Sequence, residues 1–335
     1  KVKSNDAFNN TVGILVSQGS SNTLTGNTVS YNNESGIELS KTDGNTLNNN
    51  DASYNLGSGL LINNSADNQI YNTTVVNNAE NGVYLANSEG NVINGTDSRN
   101  NQGQGIFIDS SAGNTIGEGT TVIGNLQNGI LIQNSTGTNL IDVDQVEHND
   151  MHGITIENSS EITLSGVNRV SYNAGAGVYV GNSSDVRVNQ TASFQNQEGV
   201  EFYNVTGSMV GFGTNTSYNE GSGILFRESD GNTIADTEMA AGNKEHGINI
   251  ENSDSTRITN ANNVKGNEGS GIYVGNSTNA VINASTSYSN TGSGIEFYNV
   301  TESIVGSGTN TSYNQGSGIL FLESDGNTIS YTGTS

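Results

Sequence analysis

The chain has 335 residues, of which only 31% are hydrophobic, and it contains no tryptophan. So few apolar side chains cannot fill the thick core of a globular domain of this length, whereas the thin core of a repeat array needs fewer. The 33 acidic and 10 basic residues give a net charge of -23, which argues against sustained contact with nucleic acid or anionic lipid.

A glycine followed by an apolar residue, any residue and a second apolar residue recurs every 22 to 24 positions along the chain. Apolar positions separated by one residue are typical of a β-strand with both positions inward. A third apolar column, which includes Leu24, Leu47 and Ile70, follows about eleven residues after each glycine. The glycines are Gly13, Gly36, Gly59, Gly82, Gly105, Gly129, Gly153, Gly177, Gly199, Gly223, Gly247, Gly271, Gly294 and Gly318.

These columns predict an all-β fold, a single right-handed parallel β-helix of about 14 coils with 22 to 24 residues in each coil. An asparagine column precedes the glycines by four residues, and stacked amides of successive coils can hydrogen-bond to one another. We therefore expect a structural asparagine ladder that includes Asn9, Asn32 and Asn55, with Asn196 one residue late.

The segment Gly-Ile-x-Leu-x-x-Ser-x-x-Asn-Thr-Ile is nearly intact at 36–47, 105–116 and 318–329. It resembles the parallel β-helix repeat superfamily, which includes pectate-lyase-like enzymes, periplasmic proteins that aid copper-site maturation of nitrous oxide reductase, and surface-protein repeats. Polygalacturonase-like members carry Asn-Thr-Asp, Asp-Asp, Gly-His-Gly and Arg-Ile-Lys, and none of these occurs in this sequence. We predict no catalytic residues and no enzymatic activity.

The position between the two inward columns points outward, and we call its fourteen residues the outward row. Nine of them are apolar or aromatic: Leu15, Leu61, Tyr84, Phe107, Leu131, Tyr179, Leu225, Tyr273 and Leu320. We expect these nine to form an exposed apolar stripe that contacts a protein partner, since patches of this kind mark interaction sites. Stacking of a polysaccharide on the aromatic members is the alternative.

Two further kinds of site are predicted. Asp230 and Asp254 fall at one corner of adjacent coils with Glu228 nearby, and such oxygen ligands suit calcium. A solvated acidic corner without metal is the alternative, and no other cofactor is expected. Asn-x-Ser/Thr sequons make Asn72, Asn94, Asn134, Asn204 and Asn299 candidates for glycosylation.

Residues 198–237 and 293–332 are similar at most positions, as copies of a four-coil unit of 95 residues. Such block copying lengthens a rod, and open solenoid ends expose strand edges. We therefore expect 1–335 to be one continuous β-helix domain, a fragment or module of a longer or assembled surface protein. The predicted function is a self-associating structural element of an extracellular surface layer, sheath, filament or adhesin stalk, with a carbohydrate-binding or polysaccharide-degrading β-helix as the alternative.

Overall fold

The computed structural model describes residues 1–330 and confirms the predicted fold. The chain is all-β and forms a right-handed parallel β-solenoid of about fourteen turns, with three short strands in a typical turn. No helix occurs among the described residues, and none of them forms an apolar segment that could span a membrane as a helix. The chain divides into two compact units, residues 1–174 and 175–335. Each unit has strands on three sides, called sheets 1, 2 and 3.

In the first unit, successive strands of sheets 1 and 2 pair in parallel, one turn apart. On the sheet 3 side the pairing is interrupted between Thr28–Ser30 and Thr74–Val76, where Asp51 forms only isolated bridges. Sheet 1 contains Ile14–Ser17, Ile37–Ser40, Leu60–Asn63, Val83–Ala86, Ile106–Asp109, Ile130–Gln133 and Ile154–Glu157. Sheet 2 contains Val2–Lys3, Thr23–Thr25, Thr46–Asn48, Gln69–Tyr71, Val92–Asn94, Thr115–Ile116, Asn139–Ile141 and Thr163–Ser165. The strands on the sheet 3 side are Asp6–Phe8, Thr28–Ser30, Thr74–Val76, Asp97–Arg99, Thr121–Ile123, Gln145–Glu147 and Val170–Ser171.

The second unit repeats this arrangement. Sheet 1 contains Val178–Gly181, Val200–Tyr203, Ile224–Arg227, Ile248–Glu251, Ile272–Gly275, Ile295–Tyr298 and Ile319–Leu322. Sheet 2 contains Arg187–Asn189, Met209–Val210, Thr233–Ala235, Arg257–Thr259, Val281–Asn283, Ile304–Val305 and Thr328–Ile329. The strands on the sheet 3 side are Ala192–Phe194, Asn215–Ser217, Ala240–Ala241, Val264–Lys265, Thr286–Tyr288 and Asn310–Ser312.

The strand register places equivalent residues of successive turns opposite one another. Ile37 pairs with Leu60 and Leu60 with Val83, and all three side chains are fully buried. In the second unit the phenyl rings of Phe202 and Phe226 stack in the core with their centroids 4.7 Å apart. The core is therefore a set of columns, one for each inward position of a turn.

A buried asparagine ladder borders this core, as predicted. The side-chain Oδ1 of Asn55 accepts hydrogen bonds from the backbone N of Asn32 at 3.1 Å and from its Nδ2 at 2.9 Å. One member of the predicted column is wrong: Asn10, not Asn9, donates to Asn32 Oδ1 in the first turn. The first turn is one residue shorter at this corner, so the ladder position falls one residue later and Asn9 is exposed.

Candidate functional site

The outward row lies on the outer side of sheet 1, because its residues alternate with the buried columns. Leu15 is 56% exposed, whereas Leu61, Tyr84 and Phe107 are half-buried. The Tyr84 and Phe107 rings belong to paired strands and stack with their centroids 4.8 Å apart and their planes 6° apart. This pair is the largest continuous aromatic surface of the outward row in the first unit.

The aromatic pair forms the floor of an open groove of about 440 Å³. The residues that line it with Tyr84 and Phe107 are Ala79, Glu80, Asn81, Gln102, Gly103, Gln104 and Gln127. Burial, and then the nearby Asp109 and Glu80 carboxylates, raise the pKa of the Tyr84 phenol, so the ring keeps its hydroxyl proton. An apolar floor beside amide and carboxylate groups fits a ligand with both apolar and hydroxyl-bearing surfaces.

The amide wall of the groove is held by hydrogen bonds between successive turns. Asn81 Oδ1 accepts a hydrogen bond from the backbone N of Gln104 at 2.8 Å, and Gln104 Oε1 accepts one from the backbone N of Asn128 at 2.7 Å. The Gln104 side-chain amide also donates to Gln127. The wall is therefore positioned before any ligand arrives, which lowers the entropic cost of binding.

Two members of the predicted apolar stripe are not exposed. Leu131 is only 9% exposed and Leu225 only 3%. Beside Leu131, the hydroxyl of buried Thr155 donates to Asn128 at 2.9 Å, and beside Leu225 the next turn carries buried Asn249. The expectation of a continuous exposed stripe was wrong at these two positions. Each leucine is flanked by a side chain of the turn before and of the turn after: Phe107 and Thr155 for Leu131, and Glu201 and Asn249 for Leu225.

In the second unit, the outward tyrosines depend on glycine two residues later in the same strand. A Cβ added to Gly275 would lie 2.8 Å from Oη and Cε1 of Tyr273, and one added to Gly181 would lie 2.9 Å from the same atoms of Tyr179. Each ring therefore leans along its strand into space that only glycine leaves open. This arrangement fixes the ring direction on the half-buried outward row.

A histidine packs on one of these tyrosines. The His246 ring stacks on Tyr273 at 4.7 Å, and its Nδ1 accepts a hydrogen bond from the backbone N of Ser270 at 3.0 Å. Burial lowers the pKa of His246, against the opposing effects of the nearby Glu296, Glu245 and Glu251 carboxylates. The imidazole is therefore neutral at neutral pH and supports the tyrosine ring.

Carboxylates crowd the same face of the second unit. Burial is the main cause that raises the pKa of Glu198 to about 8, and the Glu245 and Glu201 carboxylates raise it further. The Glu198 carboxylate accepts a hydrogen bond from the backbone N of Ser222, which acts in the opposite direction. Burial likewise raises the pKa of Glu201, whereas the Arg227 guanidinium lowers it. Glu198 is therefore largely protonated at neutral pH, and this face resists the gain of further negative charge.

The predicted calcium corner has a different set of contacts. Asp230 Oδ1 accepts a hydrogen bond from the backbone N of Asp254 at 2.7 Å, and Asp254 Oδ1 accepts one from Thr278 at 2.7 Å. Each carboxylate thus bonds to the backbone of the next turn. Within residues 1–330 no three His, Cys, Asp or Glu side chains are grouped so as to hold a metal ion. Calcium binding by Asp230, Asp254 and Glu228 stays a prediction.

The glycosylation candidates differ in exposure. Asn72, Asn134, Asn204 and Asn299 are exposed, whereas Asn94 is half-buried. The Asn94 side chain lies against the next turn, where its Oδ1 would be 2.2 Å from a Cβ on Gly117. Glycosylation of all five stays a prediction, and Asn94 is the least accessible of them.

Sequence reasoning missed a second aromatic column. Each of its tyrosines has φ between 55° and 59°, directly precedes a ladder asparagine and is at least 47% exposed. The column consists of Tyr31, Tyr54, Tyr172, Tyr218 and Tyr313. Two of these rings, those of Tyr31 and Tyr54, stack at 5.4 Å. The tripeptide Ser-Tyr-Asn, which recurs at 30–32, 53–55, 171–173, 217–219 and 312–314, is the signal that would have found the column.

Two family models match the chain. The model described as right handed beta helix region matches residues 1–117. The model described as periplasmic copper-binding protein (NosD) matches residues 72–190, 126–283 and 170–331, which together cover 72–331. No curated protein sequence matches the chain.

Solved structures share the fold at low sequence identity. The A-module of the mannuronan C-5 epimerase AlgE6 of Azotobacter vinelandii is 13% identical, with a TM-score of 0.59 over 94% of this chain and 92% of that one. A mutant of the periplasmic alginate epimerase AlgG is 14% identical, with a TM-score of 0.52 over 88% and 77%. Tailspike protein 2 of the Escherichia coli O157:H7 bacteriophage CAB120 is 12% identical, with a TM-score of 0.51 over 78% of this chain and 39% of the tailspike. These likenesses establish the fold alone.

The donor set of the chain does not fit a copper site. Copper prefers clustered imidazole, thiolate and thioether ligands. The chain has no cysteine and three methionines, and of its three histidines His148 stacks on Tyr172 while His246 stacks on Tyr273. We derive no copper chemistry for this chain.

Proposed function

The chain belongs to the NosD family of right-handed β-helix proteins, and from this premise we propose that it is a polysaccharide-binding scaffold without a chemical step. The binding surface is the outward row of sheet 1. The buried ladders keep the backbone of each turn in place, and the outward side chains supply recognition.

The groove over Tyr84 and Phe107 carries this proposal. Its floor is aromatic, and its wall consists of amides held by hydrogen bonds between turns. A saccharide has apolar C–H faces that pack on aromatic rings and hydroxyl groups that bond to amides. The groove follows adjacent turns, so a linear chain of sugars can lie along the row.

Charge narrows the class of polysaccharide. The net charge is -23, Glu80 lies in the groove wall, and Asp109 acts on the pKa of Tyr84. In the second unit, the Glu245, Glu251 and Glu296 carboxylates act on the pKa of His246. A polyanion would meet like charges on both units, so we propose a neutral or cationic glycan.

The related folds are consistent with a glycan ligand. Two of the similar structures are those of a mannuronan epimerase and an alginate epimerase, which act on polysaccharides, although at 13% and 14% identity they support only the fold. The family description names a periplasmic protein. We accordingly propose that this chain works outside the cytoplasm, at the extracellular or cell surface.

The proposal is tested by calorimetric titration with neutral, cationic and anionic oligosaccharides. We expect the double variant Tyr84→Ala, Phe107→Ala to weaken glycan binding at least tenfold, because it removes the floor of the groove. The matched control is Tyr31→Asn, Tyr54→Asn, which removes an exposed ring pair from another corner and introduces the residue found there at Asn77 and Asn100. Equal losses in the two variants, or tightest binding of the anionic oligosaccharide, would contradict the proposal.

A structural surface element is the second candidate. The observation that favours it is the repeated hydrogen bonding between turns within each unit, as in the asparagine ladder from Asn32 to Asn55. Self-association would use the accessible leucines Leu15, Leu61 and Leu320 of the outward row. Sedimentation equilibrium tests this role: Leu61→Glu should lower the mass of the assembly, and a wild-type chain that stays monomeric at high concentration would rule out this contact.

A further inference from the structure

Asn249 is a buried outward residue whose carbonyl lacks a donor. It lies between Ile248 and Ile250, whose side chains are fully buried in the core, so the Asn249 side chain points to the outer side of sheet 1. The residue is 5% exposed, and no group of residues 1–330 donates a hydrogen bond to its Oδ1. A buried acceptor without a partner costs stability, so a donor that reached this oxygen would be bound favourably.

Tyr273 and Glu251 lie next to Asn249 on the outer side of sheet 1. Tyr273 is the register partner of Asn249 on the next turn, and Glu251 is two residues along the strand on the same face, opposite Gly275. Because Gly275 has no side chain, the Tyr273 ring leans over it toward the position opposite Glu251. The Glu251 carboxylate is the nearby charge that most raises the pKa of Tyr273. Asn249, Glu251 and Tyr273 thus form one cluster of acceptors.

The charge around this cluster is negative. The Glu245, Glu251 and Glu296 carboxylates all act on His246, which stacks on Tyr273. Arg227 is 3.6 Å from Glu251 and offsets one of these charges. An uncompensated acceptor among carboxylates and a phenol oxygen favours a ligand that is positively charged and donates hydrogen bonds.

The internal repeat provides a comparison. The segment His-Gly-Ile-x-Ile-Glu-Asn-Ser occurs at 152–159 and again at 246–253, so Thr155 is the counterpart of Asn249. The Thr155 hydroxyl donates to Asn128 Oδ1 at 2.9 Å and is therefore satisfied within the first unit. The first copy therefore satisfies this position by a hydrogen bond within the chain, whereas the second copy has an unsatisfied acceptor there.

We propose that Asn249, Glu251 and Tyr273 form, on the second unit, a subsite for the protonated amine of an amino sugar in a glycan. The inference rests on the proposed function and specifies its ligand. Asn249 Oδ1 accepts a hydrogen bond from the ammonium group, the Glu251 carboxylate supplies the opposite charge, and the Tyr273 oxygen accepts a further hydrogen bond. His246 is a positioning residue, since it holds the Tyr273 ring.

The test is calorimetric titration of the full chain at pH 6 with the hexamer of glucosamine and with its fully N-acetylated counterpart. The key variant is Asn249→Leu, since leucine already occupies the outward position at Leu225 and Leu131 and is buried at both. Asn249→Thr introduces the residue of the other repeat. We expect the free-amine hexamer to bind about tenfold more tightly than the acetylated one, and either variant to abolish that preference.

A melting experiment separates ligand binding from a structural role. Asn249→Leu removes an unsatisfied acceptor, so its melting temperature should equal or exceed that of the wild type. A clear fall would show that Asn249 serves folding and would overturn the subsite. Binding of both hexamers with equal affinity, or full retention of the amine preference in Asn249→Leu, would overturn the subsite and leave the proposed function intact. Failure of both hexamers to bind would overturn the proposed function as well.

Discussion

The asparagine ladder permits a quantitative prediction for Asn125→Ala. Asn125 is fully buried, and its Oδ1 accepts from the backbone N of Asn101 at 3.0 Å and from its Nδ2 at 2.9 Å. Its Nδ2 donates to Asn149 at 3.0 Å. The substitution leaves the buried backbone N–H of Asn101 without an acceptor, at about 1–3 kcal/mol. It also removes one acceptor of Asn101 Nδ2, which keeps its bond to Val75 O at 3.0 Å. We expect the free energy of unfolding to fall by roughly 3 kcal/mol.

Urea unfolding followed by far-ultraviolet circular dichroism measures this loss, and hydrogen exchange locates it. The Asn101 amide should lose protection first, because its acceptor is gone. The control is Asn33→Ala. Asn33 is exposed and directly follows the ladder residue Asn32, so its substitution should change the free energy of unfolding by less than about 0.5 kcal/mol. If Asn125→Ala unfolded within that margin of the wild type, with the Asn101 amide still protected, the ladder would not be the stabilising element described here.

Three further predictions follow from the same contacts. Gly275→Ala should lower the free energy of unfolding by about 1–3 kcal/mol through overpacking, because the new Cβ meets the Tyr273 ring at 2.8 Å. The control is Gly19→Ala, whose Cβ meets nothing closer than 3.4 Å and which should leave the free energy of unfolding unchanged in the same urea titration. The folded-state pKa of Glu198 is about 8, above its unfolded value, so its contribution to stability is fully present below about pH 4.5 and is lost as pH rises toward 8. Glu198→Gln should therefore raise the free energy of unfolding at pH 9 and leave it unchanged at pH 4. An equal change at both pH values would contradict the burial of Glu198. Asp230→Ala should destabilise the chain by about 0.5–1.5 kcal/mol in calcium-free buffer, since the Asp254 amide loses its acceptor, while Asp230→Asn keeps an acceptor and should not. Calcium that stabilised the wild type but neither variant would favour the calcium site instead.

The fold could be predicted from sequence because it repeats. An isolated pair such as Ile37 and Leu39 is an ambiguous signal. Because an apolar pair recurs fourteen times at intervals of 22 to 24 residues, it identifies both a strand and the strand that pairs with it. The error at Asn9 arose where the period shortens, since a fixed offset from glycine cannot follow a turn that loses one residue between the ladder asparagine and the glycine.

The site was less predictable, because it depends on what lies one turn above and below. The alternation of inward and outward residues correctly placed Leu131 and Leu225 on the outer side. It could not show that both side chains would be buried beside their register partners on adjacent turns, Thr155 and Asn249. The stack of His246 on Tyr273 likewise joins residues 27 positions apart on different turns. Outward direction follows from strand periodicity, whereas exposure depends on the side-chain lengths of the neighbouring turns.

Mapping the bound glycan by hydrogen exchange tests the central claim most directly. With saturating glucosamine hexamer, we predict added protection in sheet 1 at Val83–Ala86, Ile106–Asp109, Ile248–Glu251 and Ile272–Gly275, and no change in sheet 2. Protection confined to sheet 2 or sheet 3, or none at saturation, would contradict the assignment of the outward row as the binding surface.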